Sequence, residues 1–298
     1  MTDSDVPALY RLRSLFDDRP DLLEIVTLAD AESHEMAGAL RTTGGLFADS
    51  LNTWATGRTG AGKSSLGNSL CGSAAMPSDG HTNCTFEIGV LRMPSNLSFI
   101  DTPGGGDKEL FENVTRIALA LPLLPVDVPD KVTLRDYTPM LVTGGTYTDE
   151  AVPAADWPTR AAQLAPDVVV FFVAPHHQFV RADRDYLREM YRAFGDKVVV
   201  ALNLFRRDGR ELYTPQNLAD AREGVAEVHA QVFPAAQDGP RTVEINALTG
   251  AGLDELTAAV CAVVPPQKIG RLESVLRAEL KPRARRERDR QFRHTLHW

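Results

Sequence analysis

Between Gly57 and Ser64 the chain reads GRTGAGKS, which satisfies every fixed position of the pattern G-x-x-x-x-G-K-S/T. The spacing has a chemical purpose. Glycines let successive main-chain N–H groups converge on an anion, and a helix beginning at the lysine adds its positive end. In such a cradle Lys63 reaches the β- and γ-phosphates of a nucleoside triphosphate and the Ser64 hydroxyl is a ligand for Mg2+, while Gly57, Arg58, Thr59, Gly60, Ala61, Gly62 and Ser65 wrap the phosphates. Asp101-Thr102-Pro103-Gly104 follows 37 residues after Ser64, behind the apolar run LSFI. A carboxylate at that strand end holds Mg2+ through water, and the Gly104 N–H can bind the γ-phosphate and release it after hydrolysis. Gly105 and Gly106 extend the backbone freedom of the segment.

Between the two motifs lies MPSDGHTNCTFEI (76–88). A metal-dependent switch needs a threonine here, with its hydroxyl and carbonyl on Mg2+ and its N–H on the γ-phosphate. Thr85, just before a strand, is the first choice and Thr82 the alternative. Lys63, Thr85 and Gly104 then surround the transferred phosphoryl group, and Ser64, Thr85 and Asp101 form the metal set. Cys84 reads as a bystander thiol.

These groups need a scaffold to bring them together. LNTWAT (51–56) reads as a strand into the Gly-rich turn and KSSLGNSLCG (63–72) as the helix after it. FEIGVLR (86–92) and LSFID (97–101) read as an antiparallel pair. DVVVFFVAP (167–175), KVVVALN (197–203) and RTVEIN (241–246) read as strands, each followed by an amphipathic segment, the last being LDELTAAVCAVV. Such alternation predicts an α/β fold: a six-stranded, mostly parallel sheet with one antiparallel strand, covered by helices on both faces, over residues 49–264.

Three segments fall outside that plan. Residues 1–48 read as a helical extension, with Leu9, Leu12 and Phe16 on one face. Residues 122–166 carry Pro122, Pro125, Pro129, Pro139, Pro153, Pro158 and Pro166 and no clear periodicity, and read as an inserted functional or disordered loop. Residues 265–298 read as an added helix and basic tail, in which Arg283, Arg286, Arg290 and Arg293 share a helical face suited to an anionic membrane surface, RNA or an acidic partner.

Composition sets the class. The chain has 298 residues, 43 % of them hydrophobic and 24 % charged, as in ordinary globular proteins. Its net charge is −8, but residues 281–298 hold seven Lys/Arg against two acids, so the remainder carries −13. An acidic body argues against wide nucleic-acid binding. No apolar run approaches the ~20 residues of a transmembrane helix, and MTDSDVPALY lacks the basic start of a secretion signal. Cys71, Cys84 and Cys261 are odd in number and scattered, which points to the reducing cytoplasm.

With GRTGAGKSSL, DTPG, VVVALN and EINALTGAGLDEL in hand, the stretch from about residue 50 to 264 resembles the Era-like GTPases of the translation-factor-related class, nearest the YfjP-like and immunity-related subgroup. The resemblance implies a G domain that binds GTP and GDP with Mg2+ and acts as a switch. It implies that the backbone at Asn246-Ala247-Leu248 meets the guanine O6, Asn246 standing where the family has Ser. The family's base-reading loop, N/T-K-x-D, fits VVVALNLFRRD in two registers. Asn203-Leu204-Phe205-Arg206 keeps the Asn and loses Lys and Asp; Phe205-Arg206-Arg207-Asp208 keeps a basic residue and the acid. The expectation is that Asp208 reads guanine with Asn203 as brace, against a solvated RRD loop with relaxed base selectivity.

For catalysis the resemblance implies a Gln after D-x-x-G, where this chain has Gly105, or a loop Asn that holds potassium, where it has Gly60. Slow intrinsic hydrolysis follows, completed by a protein partner or by self-association. Arg58 acting in trans is one route, and His81 is an outside candidate. His176-His177 lacks a Cys or carboxylate cluster for a metal set, and neighbours on a strand point to opposite sides. The competing class is an assembly module that binds nucleotide and barely hydrolyses it. A small-molecule kinase leaves DTPG and NAL without a role.

Overall fold

Strands buried on both faces need apolar residues at successive positions, and VVVFFV and VVVALN supply them. The computed structural model describes residues 51–71, 75–78, 87–92, 97–105, 109–126, 128–138, 146–207 and 210–264. The extension expected over 1–48 and the basic helix expected over 265–298 lie outside the described residues, as do His81, Thr82, Cys84, Thr85, Gly106 and Asp208.

In chain order the elements are β1 (Leu51–Gly57), α1 (Lys63–Cys71), β2 (Ile88–Arg92), β3 (Leu97–Asp101), α2 (Glu109–Ala118), β4 (Lys131–Thr138), β5 (Thr146–Pro153) and α3 (Trp157–Gln163). There follow β6 (Val168–Val173), α4 (Arg181–Phe194), β7 (Val198–Asn203), β8 (Arg206–Arg207), β9 (Arg210–Glu211), α5 (Pro215–Val232), β10 (Thr242–Ile245) and α6 (Leu253–Val263). The main sheet has eight strands in the order β10-β7-β6-β1-β3-β2-β4-β5. β10, β7, β6, β1 and β3 run parallel, β2 is antiparallel to β3, β4 is parallel to β2, and β5 turns back on β4.

Alternate residues feed two cores. Val169, Phe171 and Val173 join Val114 of α2, Trp157 of α3, Leu187 and Met190 of α4 and Val225 of α5. Val168, Val170 and Phe172 join Leu66 of α1 and Leu253 and Leu256 of α6. Two polar residues of β1, Asn52 and Thr56, are satisfied internally. Asn52 donates through Nδ2 to the carbonyls of Gln163 and Ala165, and Thr56 Oγ1 lies 2.6 Å from the Tyr186 hydroxyl. That is how a strand with a modest apolar pattern sits at the centre of the sheet.

The six-stranded expectation is corrected by residues 122–166. The described part of this segment adds strands β4 and β5, which extend the sheet beyond β2, with α3 after them. Val132 and Leu134 point into the core, and Trp157 is 2 % exposed. The hairpin grips β2 by charge as well as by backbone. Arg135 pairs with Glu87, just ahead of β2, and with Asp149 across the hairpin at 2.7 Å, and its guanidinium lies 4.2 Å from the Tyr147 ring centroid. Arg135→Ala leaves the mostly buried Glu87 carboxylate without this guanidinium. It is expected to lower the unfolding free energy by about 2 kcal/mol, read as a lower urea midpoint at unchanged slope.

Candidate functional site

The loop between β1 and α1 takes its shape from three left-handed glycines, Gly57 at φ +132°, Gly60 at +75° and Gly62 at +96°. Close approach also forbids a side chain at Gly62, where a Cβ would fall 2.1 Å from Asn203 Nδ2. Lys63 opens α1, is 6 % exposed, and donates through Nζ to the carbonyls of Gly57 (3.3 Å) and Arg58 (3.2 Å). Its ammonium is therefore folded back beneath the loop. The Ser64 hydroxyl donates to Asp101 Oδ2 at 2.5 Å, so two of the three side chains singled out for magnesium are brought into contact. A hydroxyl beside a carboxylate at the foot of a phosphate loop fits a hard, oxygen-seeking divalent cation. Among the described residues no three His, Cys, Asp or Glu side chains cluster as a further metal centre.

The Asp101–Gly105 segment lies directly on the loop. Gly105 N–H donates to the Gly57 carbonyl at 3.2 Å and Thr59 N–H to the Gly105 carbonyl at 3.3 Å. A Cβ on Gly104 would fall 2.4 Å from the Thr59 nitrogen, so only glycine allows this approach. The hydroxyl of Thr102 is anchored on the Ala55 carbonyl at 3.0 Å.

Asn203 joins the phosphate loop to the segment after β10. It is fully buried, donates through Nδ2 to the Ala61 carbonyl (2.8 Å) and accepts the Ala247 N–H on Oδ1 (3.1 Å). Asn246 explains its own departure from serine. Its Nδ2 donates to the Leu204 carbonyl at 2.8 Å, while its Oδ1 accepts the N–H groups of Leu248 and Thr249, both at 3.1 Å. A serine hydroxyl cannot do both at that reach. Ser69 of α1 ties the same turn through the Ala247 carbonyl. Ser65 is half-buried in the first turn of α1.

After Asn203 the chain forms the short pair β8–β9, in which Arg206 faces Glu211 and Arg207 faces Arg210. Arg206 Nη2 donates to Glu211 Oε1 at 3.0 Å on the exposed surface. Position 206, three residues after the bracing Asn, thus presents a guanidinium. Asp208 and Gly209 are the two residues connecting the pair, and Asp208 lies outside the described residues.

The expectation that His176 and His177 point apart on a strand is corrected. They sit on a one-turn 3-10 helix, Pro175–His177, and their rings meet edge to face with centroids 4.0 Å apart. His176 also meets Phe205 at 5.1 Å. Burial, with the neighbouring His177 charge second, pushes the His176 pKa down to about 4, so that ring stays neutral near pH 7. His177 is exposed, and its imidazole edge faces Gly60. Arg58 donates through Nη1 to the His177 carbonyl at 3.3 Å and lies 3.6 Å from Asp183, whose carboxyl is pushed up by burial. Arg58 is therefore engaged within its own chain. Nothing in the sequence pattern announced the His177–Gly60 approach, because the two meet only when β6 docks beside β1.

The sequence profile of a family described as 50S ribosome-binding GTPase matches residues 53–204. No curated protein matches the chain. Among solved structures it is similar to Era from Aquifex aeolicus bound to GDP and AlF4−, with 18 % identity over 73 % of this chain and 58 % of that one and a TM-score of 0.44. It is also similar to nucleolar GTP-binding protein 1 from Plasmodium falciparum, with 14 % identity over 80 % of this chain and 97 % of that one and a TM-score of 0.38. The chain spans less than two thirds of the length of the Era structure. No helix among the described residues is long and apolar enough to cross a membrane.

Proposed function

The chain belongs to the family described as 50S ribosome-binding GTPase, and from that premise we propose that it is a Mg2+-dependent switch that binds GTP and hydrolyses it slowly to GDP and phosphate. The observation carrying this is the phosphate loop: three left-handed glycines, Lys63 beneath them, and Ser64 against Asp101. Ser64 and Asp101, with Thr85, would hold magnesium, which neutralises phosphate charge when bound. Lys63 binds the β- and γ-phosphates, and Gly104 offers its N–H to the γ-phosphate. Gly105 has no side chain to orient water, which supports a slow rate completed by a protein partner or a second copy. Within the family, GRTGAGKSSL favours the YfjP-like and immunity-related branch. The basic residues of 281–298 would take an anionic membrane surface or RNA, and the working compartment is the cytoplasm.

A specific observation favours a second reading, relaxed base selectivity. Asn203 sets the register of the loop that follows it, and that register ends on Arg206 rather than on a carboxylate. The N–H groups of Ala247 and Leu248 are taken by Asn203 and Asn246, so guanine O6 would have to compete for them. Asp208 is the group on which guanine reading then rests. Titration with fluorescent GDP, competed by GTP, ATP and XTP, decides between the readings. Guanine selectivity predicts ATP at least ~100-fold weaker than GTP; equal competition removes the guanine assignment and keeps the loop.

A further inference from the structure

Attack of water on a γ-phosphoryl group is sped by donors already aimed at the oxygens that gain charge. Gly105 and Gly60 bring no side chain to that task, yet the space that a side chain on Gly60 would enter is filled. A Cβ built there would stand 3.2 Å from His177 Cε1 and 3.7 Å from His177 Nε2. We propose that His177 supplies, from the turn between β6 and α4, the side chain that the phosphate loop lacks, and that its imidazole contacts the phosphate chain of the bound nucleoside triphosphate. This rests on the nucleotide-binding reading of the loop.

The position is built rather than incidental. His177 N–H donates to the Ala174 carbonyl at 2.9 Å, and Arg58 reaches from the loop to the His177 carbonyl. Asp183 of α4 holds Arg58 in turn, at 3.6 Å. His176 braces the His177 ring edge to face, and Phe205, two residues after Asn203, braces His176. The turn also stores strain. Gln178, directly after His177, adopts φ +61° and ψ +150°, a conformation that a non-glycine residue keeps only where surrounding contacts impose it. The charged groups facing His177 are Arg58 from the loop and Asp183 from α4, with neutral His176 on its own turn.

In the step itself, water oxygen bonds to Pγ, the bond from Pγ to the bridging oxygen breaks with its electron pair on the diphosphate, and the water proton leaves with inorganic phosphate. His177 takes no proton from the water. It donates a hydrogen bond to a phosphate oxygen, more strongly when protonated.

The test compares the full chain with His177→Ala and His177→Gln, reading GTP and GDP affinity and single-turnover hydrolysis with Mg2+ across about pH 5 to 8, where an imidazole changes charge. For His177→Ala the single-turnover rate is expected to fall about 10- to 100-fold and triphosphate affinity about tenfold, with diphosphate affinity within about threefold. His177→Gln, which keeps an N–H donor, recovers part of the rate. The pH profiles of the parent and His177→Ala are expected to differ. Rate and triphosphate affinity within about twofold of the parent, with superimposed pH profiles, overturn the proposal. Should turnover be too slow to read, triphosphate affinity alone decides it by the same limits. A parent that binds no triphosphate overturns the nucleotide reading itself, an outcome distinct from binding that His177→Ala leaves untouched.

Discussion

Lys63→Ala is expected to weaken nucleoside-triphosphate binding about 100- to 1,000-fold, some 3–4 kcal/mol. The ammonium is almost fully buried and already positioned by two loop carbonyls, so its ordering cost is met before a ligand arrives. A phosphate chain entering the loop gains a desolvated, charge-assisted contact that no other described side chain of the loop provides. Stability without nucleotide is expected to change by only about 1 kcal/mol, because both carbonyls keep a backbone donor, the Gly105 N–H on Gly57 and the Ala61 N–H on Arg58. Fluorescent-nucleotide titration and a urea melt check the two parts together. Uptake of every triphosphate at parent strength would dismiss the loop as a nucleotide site.

Asn203→Ala is expected to cost about 2–4 kcal/mol of stability and about 100-fold in nucleotide affinity. Its carboxamide is the sole described side chain bonded both to the phosphate loop, through Ala61, and to the turn after β10, through Ala247. Truncation leaves a buried carbonyl and a buried N–H unpaired and lets the two segments separate. Asn203→Asp restores the acceptor for Ala247 but sets a carboxylate against the Ala61 carbonyl, and should be no better. Thermal melts and nucleotide titration measure both effects. A change under about 1 kcal/mol with unaltered affinity would show that the junction is held by other contacts.

Much of the site was legible because phosphate chemistry is written in local spacing. The loop, the acid at the end of β3 and the Asn at the end of β7 all lie at strand termini, where a short motif fixes the geometry. The added hairpin was not legible. β5 is an edge strand whose residues 147–151 are all exposed, so it carries no apolar alternation to detect. In β4, inward Val132 and Leu134 do alternate, but Arg135 and Asp136 interrupt the pattern by pairing with Glu87, Asp149 and Arg92, and prolines on both sides suggested a loop. α2 went unforeseen although Val114 and Ala118 share a buried face. The His177–Gly60 contact joins turns that follow two different strands, β6 and β1, and no one-dimensional pattern contains it.

Hanging β4 on β2 changes the mechanics of the region between the two phosphate motifs. Without the hairpin, β2 would be the rim of the sheet, with one side of its backbone unpaired. With β3 on one side and β4 on the other, any displacement along β2 would have to rupture two ladders at once. The Arg135 guanidinium adds a charge contact on Glu87, just ahead of that strand.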